Sequence, residues 1–283
     1  MNVLEVKDLV KKYEKFELKN VSFEVEEGTI CGFIGRNGAG KTTTLKSLLN
    51  QVHPQSGSIL FFGRNFKENE LEIKKQIGFV SGGISFYPKK TLKTLTSVTK
   101  KFYENWDDEA YRHFMQLFSL DEEKKADQLS EGMKVKYLLT LAMSHKARFL
   151  ILDEPTSGLD PVSRDELLDI FIDLVENEGV TILFSTHITS DLDKCADSIA
   201  YIKNGEIVSC ENIKTFIGNY RKVKGQATAL IVQMEEKLIG LRKHAGEFQA
   251  IIKAENTGIL DGISGITVSE ALLEDIMIHM EKE

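Results

Sequence analysis

The sequence has few cysteines and no long apolar run, and each of these features excludes a class of protein. Its three cysteines, Cys31, Cys195 and Cys210, are odd in number and widely spaced, which argues against a disulfide scaffold or a metal-ligand pattern and indicates a reducing compartment. No segment approaches the ~20 apolar residues of a membrane span, and the first residues lack the apolar core of a signal peptide. We therefore expect a cytoplasmic protein in which any membrane role requires another chain.

Composition and charge are those of an ordinary globular protein. The chain has 283 residues, of which 42% are apolar and 28% charged, enough for one large domain or two small ones. Its 36 Lys and Arg against 43 Asp and Glu give a net charge of -7. This acidic balance opposes a general affinity for polyanions, so we expect no nucleic-acid partner.

A glycine-rich segment at residues 35–43 is the strongest motif. It reads GRNGAGKTT after the apolar run 29–34 and fits the phosphate-loop pattern G-x-x-x-x-G-K-[ST], in which glycines turn backbone N–H groups towards an anion at a helix start. A chance match in a chain of this length has a probability of about one per cent. The expected nucleotide-binding residues are Gly35, Asn37, Gly38, Ala39, Gly40, Lys41, Thr42 and Thr43.

Two side chains of this loop have predictable chemistry. Lys41 is expected to reach the β and γ phosphates as a point charge, and the Thr42 hydroxyl is expected to ligate Mg²⁺. The segment therefore predicts binding of a nucleoside triphosphate.

Hydrophobic periodicity predicts an α/β fold. Alternating segments at 3–7 and 21–25 predict an antiparallel β subdomain, whereas continuous apolar runs at 149–152, 180–184 and 198–202 predict a mostly parallel sheet. Helical periodicity over residues 91–147 predicts an inserted helical subdomain. We assign a nucleotide-binding domain to residues 1–220 and a small α+β extension to 221–283. The extension is expected to contain a helix near 234–244, a strand at 248–252 and a helix at 271–280 capped by Ser269.

Three polar side chains follow predicted parallel strands, at the sheet edge where α/β folds bind ligands. Asp153, 112 residues after Lys41, is the expected acidic partner that holds Mg²⁺ opposite Thr42. Glu154 is placed to polarise a water for attack on the γ-phosphate. His187 is expected to contact that phosphate and orient the water, although a single histidine is more often structural.

Four motifs in this order resemble the ATP-binding subunit of an ABC transporter. They are the loop at 35–43, LSEGM at 129–133, LDEPTSGLDP at 152–161 and STH at 185–187. The resemblance covers about residues 1–215 and implies ATP and Mg²⁺ as cofactors. It also implies that Ser130 and Gly132 contact the γ-phosphate of ATP held by another subunit, that Asp160 lies on a loop at the dimer interface, and that Tyr13 stacks on the adenine. Phe16 competes with Tyr13 for that role.

The same resemblance implies a mode of action. One phosphate loop and one signature per chain require a homodimer or heterodimer to enclose each ATP, and a separate multi-span permease would hold the protein at the inner face of the membrane. The single cassette and C-terminal extension resemble bacterial exporters of peptides or drugs. The alternatives are an ABC ATPase that acts on DNA repair or translation, and a binding module without hydrolysis, which intact Glu154 and His187 disfavour.

Two positions depart from the family pattern. Glu131 replaces the usual glycine of the signature, which predicts repulsion of the triphosphate and a faster ATPase in Glu131→Gly, unless the carboxylate points outward or pairs with Lys134. Gly82 stands where a glutamine or glutamate normally follows the strand at 77–80. We therefore expect water to supply the Mg²⁺ contact there.

Overall fold

Strands and helices alternate along most of the chain in the computed structural model, which describes residues 1–81 and 87–282. The strands are β1 (Asn2–Lys12), β2 (Glu17–Glu26), β3 (Ile30–Ile34), β4 (Ser56–Phe61), β5 (Arg64–Asn65), β6 (Ile77–Ser81), β7 (Phe149–Asp153), β8 (Thr181–Thr186), β9 (Ser198–Lys203), β10 (Glu206–Asn212), β11 (Tyr220–Gln226), β12 (Leu238–His244), β13 (Glu247–Lys253) and β14 (Ile266–Glu270). The α-helices are α1 (Lys41–Leu48), α2 (Glu70–Lys74), α3 (Leu92–Thr99), α4 (Asp108–Leu117), α5 (Glu131–Ser144), α6 (Pro161–Glu178), α7 (Thr189–Cys195), α8 (Ile213–Gly218), α9 (Val232–Glu235) and α10 (Leu273–Met280).

The chain divides into two units, Met1–Cys210 and Glu211–Glu283. The first unit contains an antiparallel sheet in the order β2-β1-β4-β5 and most of a second sheet in the order β10-β9-β3-β8-β7-β6. In the second sheet β3 pairs in parallel with β8 and β9, and β7 pairs in parallel with β6 and β8. The predicted α/β class with a mostly parallel sheet and an antiparallel subdomain is confirmed.

The core of the first unit lies between these two sheets. Alternation along β1 and β2 points one set of side chains inward, and the resulting cluster includes Val6 and Phe23 from the antiparallel sheet and Ile151 from the parallel sheet. The rings of Phe23 and Phe33 lie 5.1 Å apart between centroids. Strand β7 is buried along its whole length. Its carboxyl end, which carries Asp153, is therefore held in place by packing.

Helices α3, α4 and α5 form the inserted helical segment between β6 and β7, as predicted. Its apolar cluster includes Leu95, Met115 and Tyr137. The Tyr137 hydroxyl lies 2.9 Å from Thr96 Oγ1 and donates to the Leu92 carbonyl oxygen at 3.1 Å. These bonds satisfy the polar groups inside the cluster.

His145, which caps the C-terminal end of α5, is a buried imidazole. Its ring stacks on Tyr103 with centroids 3.9 Å apart and an interplanar angle of 7°, and its Nδ1 lies 3.2 Å from the Lys75 carbonyl oxygen. Burial lowers the pKa of His145 from 6.5 to about 4. As the pH falls, the unfolded chain therefore takes up this proton before the folded chain does.

We expect the stability contributed by neutral His145 to be fully present above pH 6.5 and to be lost as the pH falls towards 4. The loss should reach about 2 kcal/mol in the free energy of unfolding at pH 5. Urea titrations at pH 5 and pH 7 measure it. The His145→Gln variant retains an amide donor and does not titrate in this range, so its unfolding free energy should change less between the two pH values. Equal changes in both proteins would contradict the prediction.

The second unit contains a sheet in the order β12-β13-β11-β14, and the predicted strand at 248–252 lies within β13. The helix predicted over 234–244 is wrong, because α9 ends at Glu235 and Leu238–His244 forms β12 instead. Leu238 pairs with Ile252 of β13. Gly240 has a φ of +60°, and a Cβ there would lie 2.0 Å from the His279 carbonyl oxygen. This close approach of α10 to an irregular strand favours glycine.

The final predicted helix exists, but its predicted cap is wrong. Helix α10 starts at Leu273, whereas Ser269 lies in β14 and pairs with Lys222 of β11. The backbone of Ser269 is thus committed to the sheet. The Leu272 N–H instead donates to Asp275 Oδ2 at 3.2 Å, so a carboxylate in the first turn satisfies a donor at the helix start.

Candidate functional site: a nucleotide groove at the carboxyl ends of the parallel strands

The phosphate loop connects β3 to α1, as its sequence predicts. Gly40 is the N-cap of α1 and has a φ of 119°, a conformation that residues with a Cβ rarely adopt. A Cβ on Gly40 would also lie 2.9 Å from Phe16 Cζ. The chain can therefore turn directly into α1, and Lys41 becomes the first residue of that helix.

A groove of about 550 Å³ opens beside this loop. It is lined by Lys15, Phe16, Arg36, Asn37, Gly38, Gly40, Lys41, Thr42, Thr43, Glu154, Ser157 and His187. Basic side chains, the N-terminus of α1 and two of the predicted catalytic side chains therefore share one concave surface. Gly35 and Ala39 are buried.

Lys41, Glu154 and His187 are connected within this groove. The Lys41 side chain is only 5% exposed, and its Nζ lies 3.1 Å from Glu154 Oε1 and donates to the Gly35 carbonyl oxygen at 2.7 Å. The other oxygen of Glu154, Oε2, lies 2.8 Å from His187 Nδ1. The Glu154 carboxylate is thus held between a cation and an imidazole, so its direction is fixed.

Asp153 and Thr42 also converge, although their strand and helix are far apart in sequence. Thr42 Oγ1 donates to Asp153 Oδ1 at 3.2 Å, and Ser185 Oγ donates to the same oxygen at 2.7 Å. Because β7 and β8 are adjacent and Asp153 pairs with Ser185, the register of the parallel sheet produces this contact. The Thr42 hydroxyl oxygen and a carboxylate oxygen of Asp153 therefore lie side by side.

Glu154 has a strained backbone that Ser185 supports. Its φ is +52°, a left-handed conformation that is costly for a residue with a Cβ. The Glu154 N–H donates to Ser185 Oγ at 2.9 Å, and the Glu154 carbonyl oxygen accepts from the Ser157 N–H at 3.1 Å. One buried hydroxyl therefore orients both acidic residues of the site.

We expect Ser185→Ala to reduce the ATPase rate by about tenfold, since removing the hydroxyl leaves the Glu154 N–H without its acceptor and frees Asp153 to turn. Steady-state phosphate release at saturating ATP measures the effect. Ser97→Ala removes an exposed helical hydroxyl, which donates to the Thr94 carbonyl oxygen, and should leave the rate unchanged. A wild-type rate in Ser185→Ala would show that the hydroxyl has no role in orienting the acids.

Known proteins resemble this chain over most of its length. Residues 18–157 match the family described as ABC transporter. The chain is 32% identical over 281 residues to the uncharacterized ABC transporter ATP-binding protein YxlF of Bacillus subtilis, covering 96% of this chain and 90% of that protein. The chain belongs to the ATP-binding subunits of ABC transporters. It is thus an ATP-binding ATPase of a transport system.

Two further ABC transporter proteins show the same relationship. The bacitracin transport ATP-binding protein BcrA of Bacillus licheniformis is 29% identical over 297 residues, covering 98% of this chain and 97% of that protein. The solved structure of an ATP-binding subunit of an ABC transporter has a TM-score of 0.67 at 27% identity and covers 75% of this chain and 91% of that chain. The family resemblance inferred from the motifs is confirmed.

The residues of this ABC transporter subunit fit the magnesium ion that accompanies ATP. Mg²⁺ prefers oxygen ligands and is usually held by one or two protein groups together with substrate phosphates. The Thr42 hydroxyl and the Asp153 carboxylate provide such a pair within hydrogen-bond distance of each other. They lie next to Lys41, at the start of α1, where the phosphates are expected.

One of the two aromatic candidates for adenine stacking lines the groove. Phe16 lines the groove next to Lys15. Tyr13 is 44% exposed and is not among the groove-lining residues of the part of the chain that the structure describes; Lys11 Nζ lies 5.3 Å from its ring centroid. The geometry favours Phe16, and the stacking role of Tyr13 stays a prediction.

Ser130, Gly132 and Asp160 are not among the described residues that line this groove. Ser130 is exposed and caps α5, where its hydroxyl accepts from the Met133 N–H at 3.2 Å. Asp160 caps α6 by accepting from the N–H groups of Val162 and Ser163 at 3.0 and 3.1 Å. Hydrogen bonding to Ser163 lowers the pKa of Asp160. Ser130 and Asp160 are thus exposed N-cap residues, each at the start of a helix.

The Glu131 carboxylate is paired with Lys134, which is one of the two arrangements in which we expect no repulsion of the triphosphate. Its Oε1 lies 2.6 Å from Lys134 Nζ on the same helix, so the added charge is paired. We therefore expect Glu131→Gly to leave the ATPase rate within about twofold of wild type, because Lys134 already offsets the charge that would repel the triphosphate. Lys134→Met, which leaves the carboxylate unpaired, should be slower than Glu131→Gly in the same assay. A several-fold faster Glu131→Gly would restore the repulsion hypothesis.

Gly82 lies outside the described residues, so the expected water-mediated Mg²⁺ contact stays a prediction. Sequence reasoning missed Lys15, Arg36 and Ser157, which line the groove. It also gave no role to Ser185. The position of Ser185 at a parallel strand end beside Asp153 was the available signal, since neighbouring strand ends meet at one sheet edge.

Proposed function

We propose that this chain is the ATP-hydrolysing subunit of an exporter of peptides or drugs, which dimerises on ATP and drives a separate transmembrane subunit. The observation that carries this proposal is the meeting of Lys41, Glu154 and His187 in one groove at the phosphate loop. A chain that only bound nucleotide would not need a carboxylate fixed in this position.

The groove residues have distinct roles in the proposed hydrolysis. Lys41 and the N–H groups at the start of α1 bind the phosphates. A water attacks the γ-phosphorus, the bond to the bridging oxygen breaks, ADP leaves, and Glu154 accepts the proton of the water. His187 orients the carboxylate through the contact with Oε2. Mg²⁺, held by Thr42 and Asp153, would neutralise charge on the phosphate oxygens.

In this proposal the chain dimerises because its own groove is not lined by Ser130 or Gly132. Ser130 and the N-terminus of the 14-residue helix α5 are exposed, and a helix start of this kind favours an anion. A second copy that places its Ser130 and Gly132 on the γ-phosphate would complete each site. Because hydrolysis removes this shared contact, the closed dimer would then open, which couples chemistry to motion.

The transmembrane partner and the cargo are proposed from the relatives. Of the helices in residues 1–81 and 87–282, none combines the length and apolar character needed to span a bilayer. The BcrA proteins are named for bacitracin transport, which favours an amphipathic peptide or drug as cargo. The chain would then act at the cytoplasmic face of the membrane through its permease. The matched relatives are transport proteins, so a role in DNA repair or translation is not favoured.

The proposal is tested in cells that carry this gene. We expect replacement by the Glu154→Gln form to increase sensitivity to bacitracin or another amphipathic peptide antibiotic, and we expect an affinity-tagged chain to co-purify with a multi-span membrane protein. Ribosomes or DNA-repair proteins in place of a membrane protein would contradict the transport role. Unchanged sensitivity to a broad panel of peptides and drugs would contradict the export assignment.

A further inference from the structure

Asp191 is a fully buried carboxylate that lies outside the nucleotide groove. It is on α7, and its relative exposure is 0%. Burying an ionised carboxylate is costly unless charge pairing and hydrogen bonds compensate for the lost hydration. Asp191 has both kinds of partner, and they come from three different segments of the chain.

The first partner is on the loop that follows Glu154. Thr156 Oγ1 donates to Asp191 Oδ2 at 2.7 Å, and both groups are buried. Thr156 is two residues after Glu154, in the tight turn where the Ser157 N–H donates to the Glu154 carbonyl oxygen. A shift of Thr156 would therefore move the backbone that aims the Glu154 carboxylate.

The second partner is next to His187. Thr186 Oγ1 donates to the same oxygen, Asp191 Oδ2, at 3.2 Å and accepts from the Ile188 N–H at 3.0 Å. The Thr186 hydroxyl thus connects the backbone just beyond His187 to the carboxylate. One carboxylate oxygen therefore fixes the segments that carry the two halves of the Glu154–His187 contact.

The third partner is Arg164 in the first turn of α6. Its Nε donates to Asp191 Oδ1 in a close contact, and its Nη2 donates to Ser190 Oγ at 2.7 Å. Arg164 also continues the turn that starts at Asp160, because its N–H donates to the Asp160 carbonyl oxygen at 3.0 Å. The same carboxylate is therefore connected to the helix start that carries Asp160.

We propose that Asp191 is a positioning residue for ATP hydrolysis, which holds Glu154, His187 and the Asp160 loop in register. This inference rests on the proposed hydrolytic role of Glu154. The three partners of the Asp191 carboxylate, Thr156, Thr186 and Arg164, do not line the groove, so its effect should fall on turnover and not on nucleotide affinity. A residue that only stabilised the fold would not separate these two quantities.

The main test compares Asp191→Asn with wild type at saturating ATP. Asparagine retains the shape but has one acceptor oxygen for three donors, so one or more of Thr156, Thr186 and Arg164 loses its partner. We expect kcat to fall about 10- to 100-fold, while the KM for ATP and the affinity for a fluorescent ATP analogue stay within about twofold. Asp165→Asn, which removes an exposed carboxylate paired with Lys194 at 2.6 Å, should retain wild-type kcat.

A milder variant is available in case Asp191→Asn fails to fold. Thr186→Val is nearly isosteric and removes one hydroxyl, so kcat should fall about three- to tenfold at unchanged KM. If both variants lower the melting temperature but retain wild-type kcat per folded molecule, Asp191 has no positioning role. Glu154→Gln separates the two hypotheses. If it still hydrolyses ATP, the proposed function fails, whereas if it is inactive and the Asp191 and Thr186 variants are normal, this inference alone fails.

Discussion

Glu154→Gln is expected to lower the ATPase rate about a thousandfold while ATP binding stays within about twofold, because general base catalysis contributes factors of this size. Glutamine retains the shape of the side chain and an oxygen that can face His187, but it cannot accept a proton from water. Loss of its charge also removes the ion pair with Lys41, which leaves the ammonium group free for phosphate. Phosphate release and equilibrium binding of a fluorescent ATP analogue measure the two effects separately.

The control for this variant is Glu123→Gln. Its carboxylate is 70% exposed and lies 3.1 Å from Lys93 Nζ in the helical segment, far in sequence from the groove residues. It should hydrolyse ATP at the wild-type rate. Undiminished hydrolysis in Glu154→Gln would remove Glu154 from the catalytic role, and loss of ATP binding would show that the carboxylate supports the groove and not the chemistry.

Lys41→Met is expected to weaken ATP binding about a hundredfold, since a charged hydrogen bond to phosphate contributes about 1.5–3 kcal/mol. The lysine is buried and is oriented by the Gly35 carbonyl oxygen. Methionine fills a similar volume without a donor. Equilibrium binding of a fluorescent ATP analogue gives the affinity, and circular dichroism shows whether the fold is retained.

Lys46→Met is the matched control, because Lys46 lies in the last turn of the same helix and does not line the groove. Its ATP affinity should stay within about twofold of wild type. An equal loss of affinity in both variants would mean that net charge and not the Lys41 contact determines binding. Normal binding in a folded Lys41→Met protein would contradict the assignment of this groove to the phosphates.

The α/β architecture was predictable because its elements have unambiguous local patterns. The apolar run of β7 is long enough to identify a strand buried on both faces, and the glycine loop marks a strand-to-helix turn. The second unit was harder. Met234, Leu238 and Leu241 have the spacing of a helix face, yet Leu238 pairs with Ile252 in a sheet, and single-sequence periodicity does not show which partner strand is present.

The site was predictable where its residues are contiguous or follow strand ends. The phosphate loop, Asp153 and Glu154 belong to such segments, and the structure brings them together with His187. The support from Ser185 and Asp191 was not predictable in the same way. Apart from Thr186 with Asp191, the contacts join groups 27 or more residues apart, as in Arg164 with Asp191 or Ser185 with Asp153. The register of the sheet and helices must therefore be known first.

The most direct measurement of the proposed mechanism is a structure of the Glu154→Gln protein with ATP and Mg²⁺. We expect two copies that enclose two ATP molecules, with each γ-phosphate near Lys41 of one copy and within hydrogen-bond distance, about 3 Å, of Ser130 of the other. A nucleotide-bound dimer in which Ser130 lies far from every phosphate would contradict the shared site and, with it, the proposal that hydrolysis releases the two copies.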